Sequence, residues 1–216
     1  MRTLPSGIPF TAALGAASLL AVFNAGAPAT AAPPPPGYRT DQVLATAVHP
    51  TLGGISIRRG FWDGDTDKGW GYDKVRHKHN IHSIYAQKRV LMSPNIEQQG
   101  TSYVLRAWAG RYRCSGSACR LVEQREVKGV FTNAHMTTLH GWPVNGVLGL
   151  QTMYCVNPQS APQCPDWVVP AIERPGTPTG VSPRSTPGHD ARNGVTLRTA
   201  YKPLPRTMTR RTGSVR

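Results

Sequence analysis

The spacing of the apolar residues changes near Pro94, and this change predicts how the chain is organised. Before Pro94 the apolar residues of three segments recur at helical spacing, and one segment alternates like a short strand. The predicted helices are 38–48, 73–79 and 83–92, and the predicted strand is 55–61. Ser83 suits the N-cap position of the third helix, which Ser93 and Pro94 end.

After Pro94 the pattern is that of strands, in which apolar and polar residues alternate. Segment 101–113 is the clearest case. Its apolar face carries Tyr103, Leu105, Ala107 and Ala109. Further strands are predicted over 119–130, 131–138 and 147–156. The fold class that we predict is therefore α+β, with N-terminal helices packed on a four-stranded antiparallel sheet.

The N-terminal segment predicts export. Residues 1–31 combine Arg2, an apolar run over 12–22 and the small-residue cleavage pattern Ala29-Thr30-Ala31. The run is shorter than the roughly 20 residues that a membrane helix needs. We therefore predict a signal peptide, a secreted protein without a membrane span, a Pro-rich spacer over 32–37, and one core domain over 38–172.

The C-terminal segment 173–216 predicts a disordered basic tail. It contains six prolines and lacks hydrophobic periodicity, so it offers little apolar surface to offset the entropy of ordering. Nine Lys and Arg residues against two acidic ones give it half of the net charge of +14. Such a charge suits binding of RNA or another polyanion, although an Arg-rich composition alone explains it equally well. We expect a monomer.

The four cysteines predict two local disulfides. Cys114 and Cys119 flank a short turn, and Cys155 and Cys164 flank a proline-containing loop. Three pairings are compatible with four cysteines, and the sequence alone does not choose among them. The spacings depart from those of structural zinc sites, and an exported protein favours disulfides. We expect no metal and no cofactor.

An acidic segment provides one metal alternative. Asp63, Asp65 and Asp67 match the first three acidic positions of a calcium-binding loop, but Lys68 and Lys74 occupy later positions where a Gly and a Glu are needed. A polar turn between a strand and a helix accounts for the same residues. Both interpretations remain open at the level of sequence.

A cluster of imidazoles and cations is the strongest candidate for chemistry. His77, Lys78, His79 and His82 fall within six residues. Histidine titrates near neutral pH and serves as acid or base, and lysine stabilises anions. The cluster also fits a metal site or an exposed basic surface, so its residues alone do not decide its role.

Two later segments add phosphate-binding candidates. Thr152 and Tyr154 alternate along the last predicted strand and therefore point to the same face. Their hydroxyl groups suit a phosphate, although Thr and Tyr are also ordinary strand residues. Arg106 is ambiguous in the same way. The candidate catalytic residues are His77, Lys78, His79, Arg106, Thr152 and Tyr154.

The order of these motifs resembles a known family. Lys78-His79 near a helix end, a helix that ends before Pro94, and a last strand containing Thr152 and Tyr154 are similar to the small ribonuclease-toxin fold of barnase, EndoU-type nucleases and RelE-like toxins. The resemblance implies metal-independent RNA cleavage, with His79 as acid or base and Thr152 and Tyr154 at the scissile phosphate. The local disulfides and segment 38–67 depart from that family.

A second resemblance concerns the end of the core. Tyr154-Cys155 followed by Cys164-Pro165-Asp166-Trp167 is similar to small secreted actinobacterial proteins of unassigned role. This similarity implies no activity. The alternative to a ribonuclease or toxin-like domain is therefore a non-catalytic secreted binding module for anionic surfaces or partners.

Overall fold

Ten strands and three short helices make up the part of the chain that the computed structural model describes, residues 31–157, 161–173 and 195–209. In chain order they are β1 (Val43–His49), β2 (Gly53–Arg58), β3 (Phe61–Asp63), β4 (Lys68–Trp70), α1 (Gly71–His77), α2 (Ile84–Leu91), β5 (Ile96–Gln99), β6 (Ser102–Ser115), β7 (Ala118–Leu139), β8 (Trp142–Cys155), α3 (Val168–Glu173), β9 (Val195–Ala200) and β10 (Thr207–Thr209). No helix in these ranges is long and apolar enough to cross a membrane.

A long hairpin formed by β6 and β7 organises the main sheet, which has six antiparallel strands. β5 and β9 pair with successive parts of β6, whereas β8 and β10 pair with different parts of β7. The two long strands therefore lie in the middle, and four shorter strands share the two outer edges. β1 and β2 form a separate antiparallel hairpin, as do β3 and β4.

The main core lies between one face of this sheet and a layer made of α2, α3 and the β1–β2 hairpin. The sheet contributes alternate residues of β6, and the predicted apolar face of that strand is confirmed. The fully buried residues of the layer include Ile55, Ile57, Val90, Leu91 and Ile172. Each such side chain contributes about 1.5–3 kcal/mol through the removal of apolar surface from water.

Local sequence signals explain the two longer helices. The helices predicted over 73–79 and 83–92 are confirmed as α1 and α2. The Ser83 hydroxyl accepts a hydrogen bond of 3.2 Å from the Ala86 N–H, which is the predicted N-cap contact. The Ser93 hydroxyl after α2 donates to the Arg106 carbonyl and so joins the helix end to β6.

The predicted disulfides are both present, Cys114–Cys119 at the end of the β6–β7 hairpin and Cys155–Cys164 after β8. Two disulfides are typical of proteins that fold in an oxidising, extracellular environment.

The predicted arrangement of N-terminal helices on a four-stranded sheet is wrong. Four strands precede the helices, the main sheet has six strands, and the structure is mostly β. Residues 43–48 of the segment predicted as a helix over 38–48 lie in β1, where Ala47 and His49 are buried while Val48 between them is exposed. Pairing with β2 at Ala47–Ile55 and Ala45–Ile57 stabilises this alternation.

The strands predicted over 119–130 and 131–138 are one continuous strand, β7. The register of β7 with β8 shifts near Val130 and Thr132, as at a β-bulge. These irregularities interrupt the alternation that marks a strand in the sequence, which is why one long strand resembles two short ones.

Part of the predicted disordered tail is folded. We call residues 195–209 the C-terminal strap: β9 pairs with the outer edge of β6, and β10 pairs with the outer edge of β7. The segment between them crosses the hairpin beside Gly110, where the Leu204 side chain would lie 2.3 Å from an added Cβ. The Tyr112 hydroxyl donates to the Pro205 carbonyl at 2.7 Å. Residues 174–194 and 210–216 of the predicted tail lie outside the described residues.

Candidate functional site

The end of α1 positions the candidate histidine. Asn80 adopts a left-handed conformation with φ of 57°, and its N–H bonds the Arg76 carbonyl at 3.1 Å. This is the usual way for a helix to end, and Asn tolerates the conformation better than most residues. The turn places His79 at the point where the chain leaves the helix, with 7% of the residue exposed.

The disulfide loop between Cys155 and Cys164 lies against His79. The His79 carbonyl accepts a hydrogen bond of 3.0 Å from the Cys164 N–H, and the Asn80 side chain donates to the Cys164 carbonyl at 3.1 Å. Asn80 also donates to the Asp166 carboxylate at 2.8 Å. The disulfide and these bonds hold the loop and the end of α1 together as one unit.

An open pocket of about 460 Å³ forms between this unit and the edge of the sheet, and we call it the His79 pocket. Its described walls are formed by Lys78, His79, Lys128, Tyr154, Cys155, Val156, Asn157, Ala161 and Pro162. The His79 and Tyr154 rings lie 5.8 Å apart between centroids. Lys128 of β7 is the direct cross-strand partner of Tyr154 on β8, so both side chains reach the same face of the sheet.

The His79 imidazole is neutral in a defined tautomer. Its Nδ1 lies 2.8 Å from the Pro162 carbonyl oxygen, which can only accept, so Nδ1 carries the proton and Nε2 keeps a lone pair. Burial lowers the pKa of His79 below 6.5, and the hydrogen bond to Pro162 opposes this only in part. Lys78 and Lys74 lower the pKa further through their charges, while Asp67 raises it. A neutral imidazole with a free Nε2 is suited to accept a proton.

The two lysines of the pocket differ in whether an acidic side chain neutralises their charge. The Lys78 ammonium lies 2.5 Å from each carboxylate oxygen of Asp67, and this contact is the main reason for the lowered pKa of Asp67. Lys78 is thus largely neutralised. Lys128 has no ion pair with an acidic side chain in the described ranges. Lys128 is therefore the cation available to an anion in this pocket.

The structure separates the other predicted residues from His79. His77 is exposed and pairs with Asp73 at 3.5 Å, and His82 is also exposed. Arg106 lies opposite Lys128 on β6, one strand farther from the pocket, and pairs with Glu97 and Glu126. These three side chains do not line the His79 pocket.

Thr152 lies on β8 two residues before Tyr154, but it does not line the pocket. Its hydroxyl is buried and has no hydrogen-bond partner within the described part of the chain. Of the six predicted site residues, the structure therefore brings together Lys78, His79 and Tyr154.

Sequence patterns do not indicate three features of the site: Lys128, Asp67 as the partner of Lys78, and Pro162 as the partner of His79. Lys128 becomes a candidate only when the pairing of β7 with β8 is known, because its own strand has no motif. The acidic pattern of 63–67 indicates Asp67 only as a candidate calcium ligand, because its contact with Lys78 spans eleven positions of the chain. A proline carbonyl has no signature in a sequence.

A second pocket and the acidic segment are weaker candidates for a functional site than the His79 pocket. A larger open pocket of about 860 Å³ lies at the tip of the β6–β7 hairpin, but arginines are the only charged or titratable side chains that line it. No described group of three or more His, Cys, Asp and Glu side chains is placed to hold a metal ion. Within the acidic segment, Asp63 accepts hydrogen bonds from Thr66 and the Asp65 N–H instead.

The chain was compared with family models, with curated proteins and with solved structures, and none of these matches it. Its function is therefore inferred from the His79 pocket itself.

Proposed function

We propose that this chain is a small secreted ribonuclease or toxin-like domain that cleaves RNA without a metal ion at the His79 pocket. The observation that carries the proposal is the neutral His79 imidazole, held through Nδ1 by Pro162, beside the Tyr154 phenol and the Lys128 ammonium, which forms no ion pair within the described residues. These groups combine a base, a hydroxyl donor and a cation in one concave site.

The reaction is an internal transesterification. His79 Nε2 takes the proton of the ribose 2′-hydroxyl, whose oxygen attacks the adjacent phosphorus. The bond to the 5′-oxygen of the next nucleotide breaks, and that oxygen receives a proton from the Tyr154 hydroxyl. Lys128 stabilises the negative charge on the phosphorane oxygens. The products are a 2′,3′-cyclic phosphate and a free 5′-hydroxyl.

The surface around the pocket supports binding of a phosphate chain. Arg106, Lys128 and Tyr154 lie opposite one another on three neighbouring strands and share one face of the sheet. Arg106 is bound to two carboxylates, so we assign it to the structure of that face rather than to the reaction.

Cleavage of RNA in EDTA tests the proposal. The mature protein should cleave a single-stranded RNA and leave the same sequence in DNA intact, because the nucleophile is the 2′-hydroxyl. His79→Asn keeps a donor for the Pro162 carbonyl but provides no base, so the rate should fall at least about 100-fold. Lys128→Ala should also slow cleavage, whereas Lys88→Ala, at a cation outside the pocket, should not.

Matched histidine controls make the test specific. His77→Ala and His82→Ala alter exposed imidazoles of the same cluster and should retain the activity of the unmodified chain. Equal cleavage by the unmodified chain and His79→Asn would contradict the proposal, as would the absence of any cleavage. RNA retention without cleavage, lost as salt rises, would instead support the binding-module hypothesis.

A further inference from the structure

A second polar site lies outside the His79 pocket, at the buried Asp63 carboxylate at the end of β3. Only 6% of this residue is exposed. One carboxylate oxygen accepts from the Asp65 N–H at 3.0 Å, and the other accepts from the Thr66 hydroxyl at 2.6 Å. No Lys, Arg or His side chain forms an ion pair with Asp63 in the described ranges. A buried carboxylate normally has a cationic partner, because burial of a single charge is costly.

The backbone nitrogen of Ala32 is a further donor to Asp63, beside the backbone of Thr66. It lies 2.8 Å from the Asp63 oxygen that also binds Thr66. The Ala32 carbonyl accepts a hydrogen bond of 3.1 Å from the Trp142 indole, so both backbone groups of Ala32 are held. Ala32 is therefore docked on the fold although ten residues lie between it and the first strand.

Ala32 directly follows a processing signal in the sequence. Ala29-Thr30-Ala31 is the small-residue pattern after which signal peptidases cut, and it follows the apolar run over 12–22. Cleavage after Ala31 would convert the Ala32 nitrogen from an amide into the amino terminus of the mature chain.

We propose that the bond between Ala31 and Ala32 is the processing site, and that the Ala32 ammonium released there forms an ion pair with Asp63. Hydrolysis by a signal peptidase consumes one water, leaves a carboxylate on Ala31, and leaves an amine on Ala32 that takes up a proton at neutral pH. The atom that already donates to Asp63 then carries a positive charge. Processing thereby supplies a cationic partner for Asp63, which forms no ion pair among the residues that the structure describes.

The hydrogen bonds at Asp63 are already arranged for a charged carboxylate. The Thr66 hydroxyl, followed by the Ala32 nitrogen, lowers the pKa of Asp63 below its usual value, so the group is ionised at neutral pH. The two partners are therefore oppositely charged over the range in which an exported protein works. Replacing an amide donor by an ammonium strengthens such a bond.

The experiment begins with the natural N-terminus. The full chain is expressed in a bacterium that exports it, and the mass and N-terminal sequence of the mature form are determined. We expect the mature chain to begin at Ala32. A different first residue would overturn the proposal.

Reactivity of the amino terminus tests the ion pair. Three proteins are compared at pH 7 with limiting acylating reagent: the chain that begins at Ala32, the same chain with Asp63→Asn, and a matched control that begins at Ala31. Only the neutral amine reacts, and an ion pair with Asp63 raises the pKa of the Ala32 amino group. The amino terminus of the chain that begins at Ala32 should therefore react about tenfold more slowly than that of the Asp63→Asn variant or of the chain that begins at Ala31. Equal rates in the chains that begin at Ala31 and Ala32 would refute the ion pair, even if Asp63→Asn fails to fold.

Thermal unfolding provides a second measurement. The chain that begins at Ala32 should gain melting temperature relative to the one that begins at Ala31, and Asp63→Asn should reduce or reverse this gain. Ala31 itself packs against the small cluster around Trp70 and Trp142, so its retained methyl group would act in the opposite direction. A difference between the two starting points that is the same with Asp63 and with Asp63→Asn would contradict the proposal, because the packing of Ala31 does not depend on Asp63.

Discussion

Shortening Leu197 to alanine tests whether the C-terminal strap belongs to the folded core. Leu197 lies on β9 opposite Arg111 of β6, is 7% exposed, and packs into the main core cluster. Leu→Ala substitutions in cores destabilise proteins by about 2–5 kcal/mol. Because β9 is an edge strand and can relax into the space, we expect Leu197→Ala to lower the free energy of unfolding by about 2–3 kcal/mol.

Urea unfolding of the oxidised protein measures this change. Val122→Ala provides a matched control, because Val122 is an aliphatic strand residue that is 50% exposed, and its truncation should change the free energy by less than about 0.5 kcal/mol. If Leu197→Ala were no more destabilising than Val122→Ala, β9 would not be docked on the sheet, and the strap described above would be refuted.

Removal of the whole strap extends the same reasoning. A chain that ends at Glu173 loses the strand that pairs with β6 over 108–113. It also loses the acceptor of the fully buried Tyr112 hydroxyl and the donor that Thr199 provides to the Ala171 carbonyl at 2.5 Å. An unpaired buried hydroxyl alone costs about 1–3 kcal/mol. We expect a large fall in melting temperature, and an unchanged melting temperature would contradict the structure.

Three further predictions concern the site and its supports. Because burial lowers the pKa of His79 below 6.5 in the folded chain, its contribution to stability should be full above pH 6.5 and should decline as the pH falls toward the folded-state value. Urea midpoints between pH 4 and 7 should therefore fall less for His79→Asn than for the unmodified chain, in which His79 adds to the decline caused by His140, whose pKa is also lowered; an equal fall would contradict this. Gly149→Ala should cost about 3 kcal/mol or more in thermal unfolding, because φ is +73° and an added Cβ would lie 2.1 Å from the Ser56 carbonyl oxygen; retained stability would contradict this packing. Replacing Cys155 and Cys164 by serine should lower the free energy of unfolding by about 2–3 kcal/mol and should slow RNA cleavage, and an unchanged rate would show that the loop does not position the base.

The parts of the fold that were predicted correctly depend on local interactions. Ser83 caps α2 through a contact with a residue three positions later, and the alternation of β6 follows from the geometry of a single strand. The disulfides join cysteines that are five and nine positions apart. In each case the residues that interact are close enough in the chain for their spacing to indicate the structure.

The wrong predictions concern segments that are defined by distant partners. The apolar spacing of 38–48 fits a helix and a strand equally, and pairing with β2 decides between them. In segment 195–200 only Val-Thr-Leu-Arg alternates, and this run is too short to indicate a strand among the surrounding prolines and glycines. Only the free edge of β6 makes this short alternation a stable strand.

For the candidate site, too, the sequence indicates the chemistry of single residues but not which of them lie together. Residue chemistry alone identified His79, Lys78 and Tyr154, because imidazole, ammonium and phenol groups have intrinsic acid-base and charge properties. It also included His77 and Arg106, which have the same chemistry but different surroundings.

The sequence by itself determined the short-range features of this protein: two helices, the alternating strand β6, two local disulfides and a set of chemically capable side chains. Only the tertiary structure decided which of these side chains share a pocket, which charges are neutralised, and whether segment 195–209 is part of the fold. The reason is that strand register and loop closure join residues such as Lys128 and Tyr154, or His79 and Pro162, across long separations in the chain. No spacing within one segment encodes such pairs.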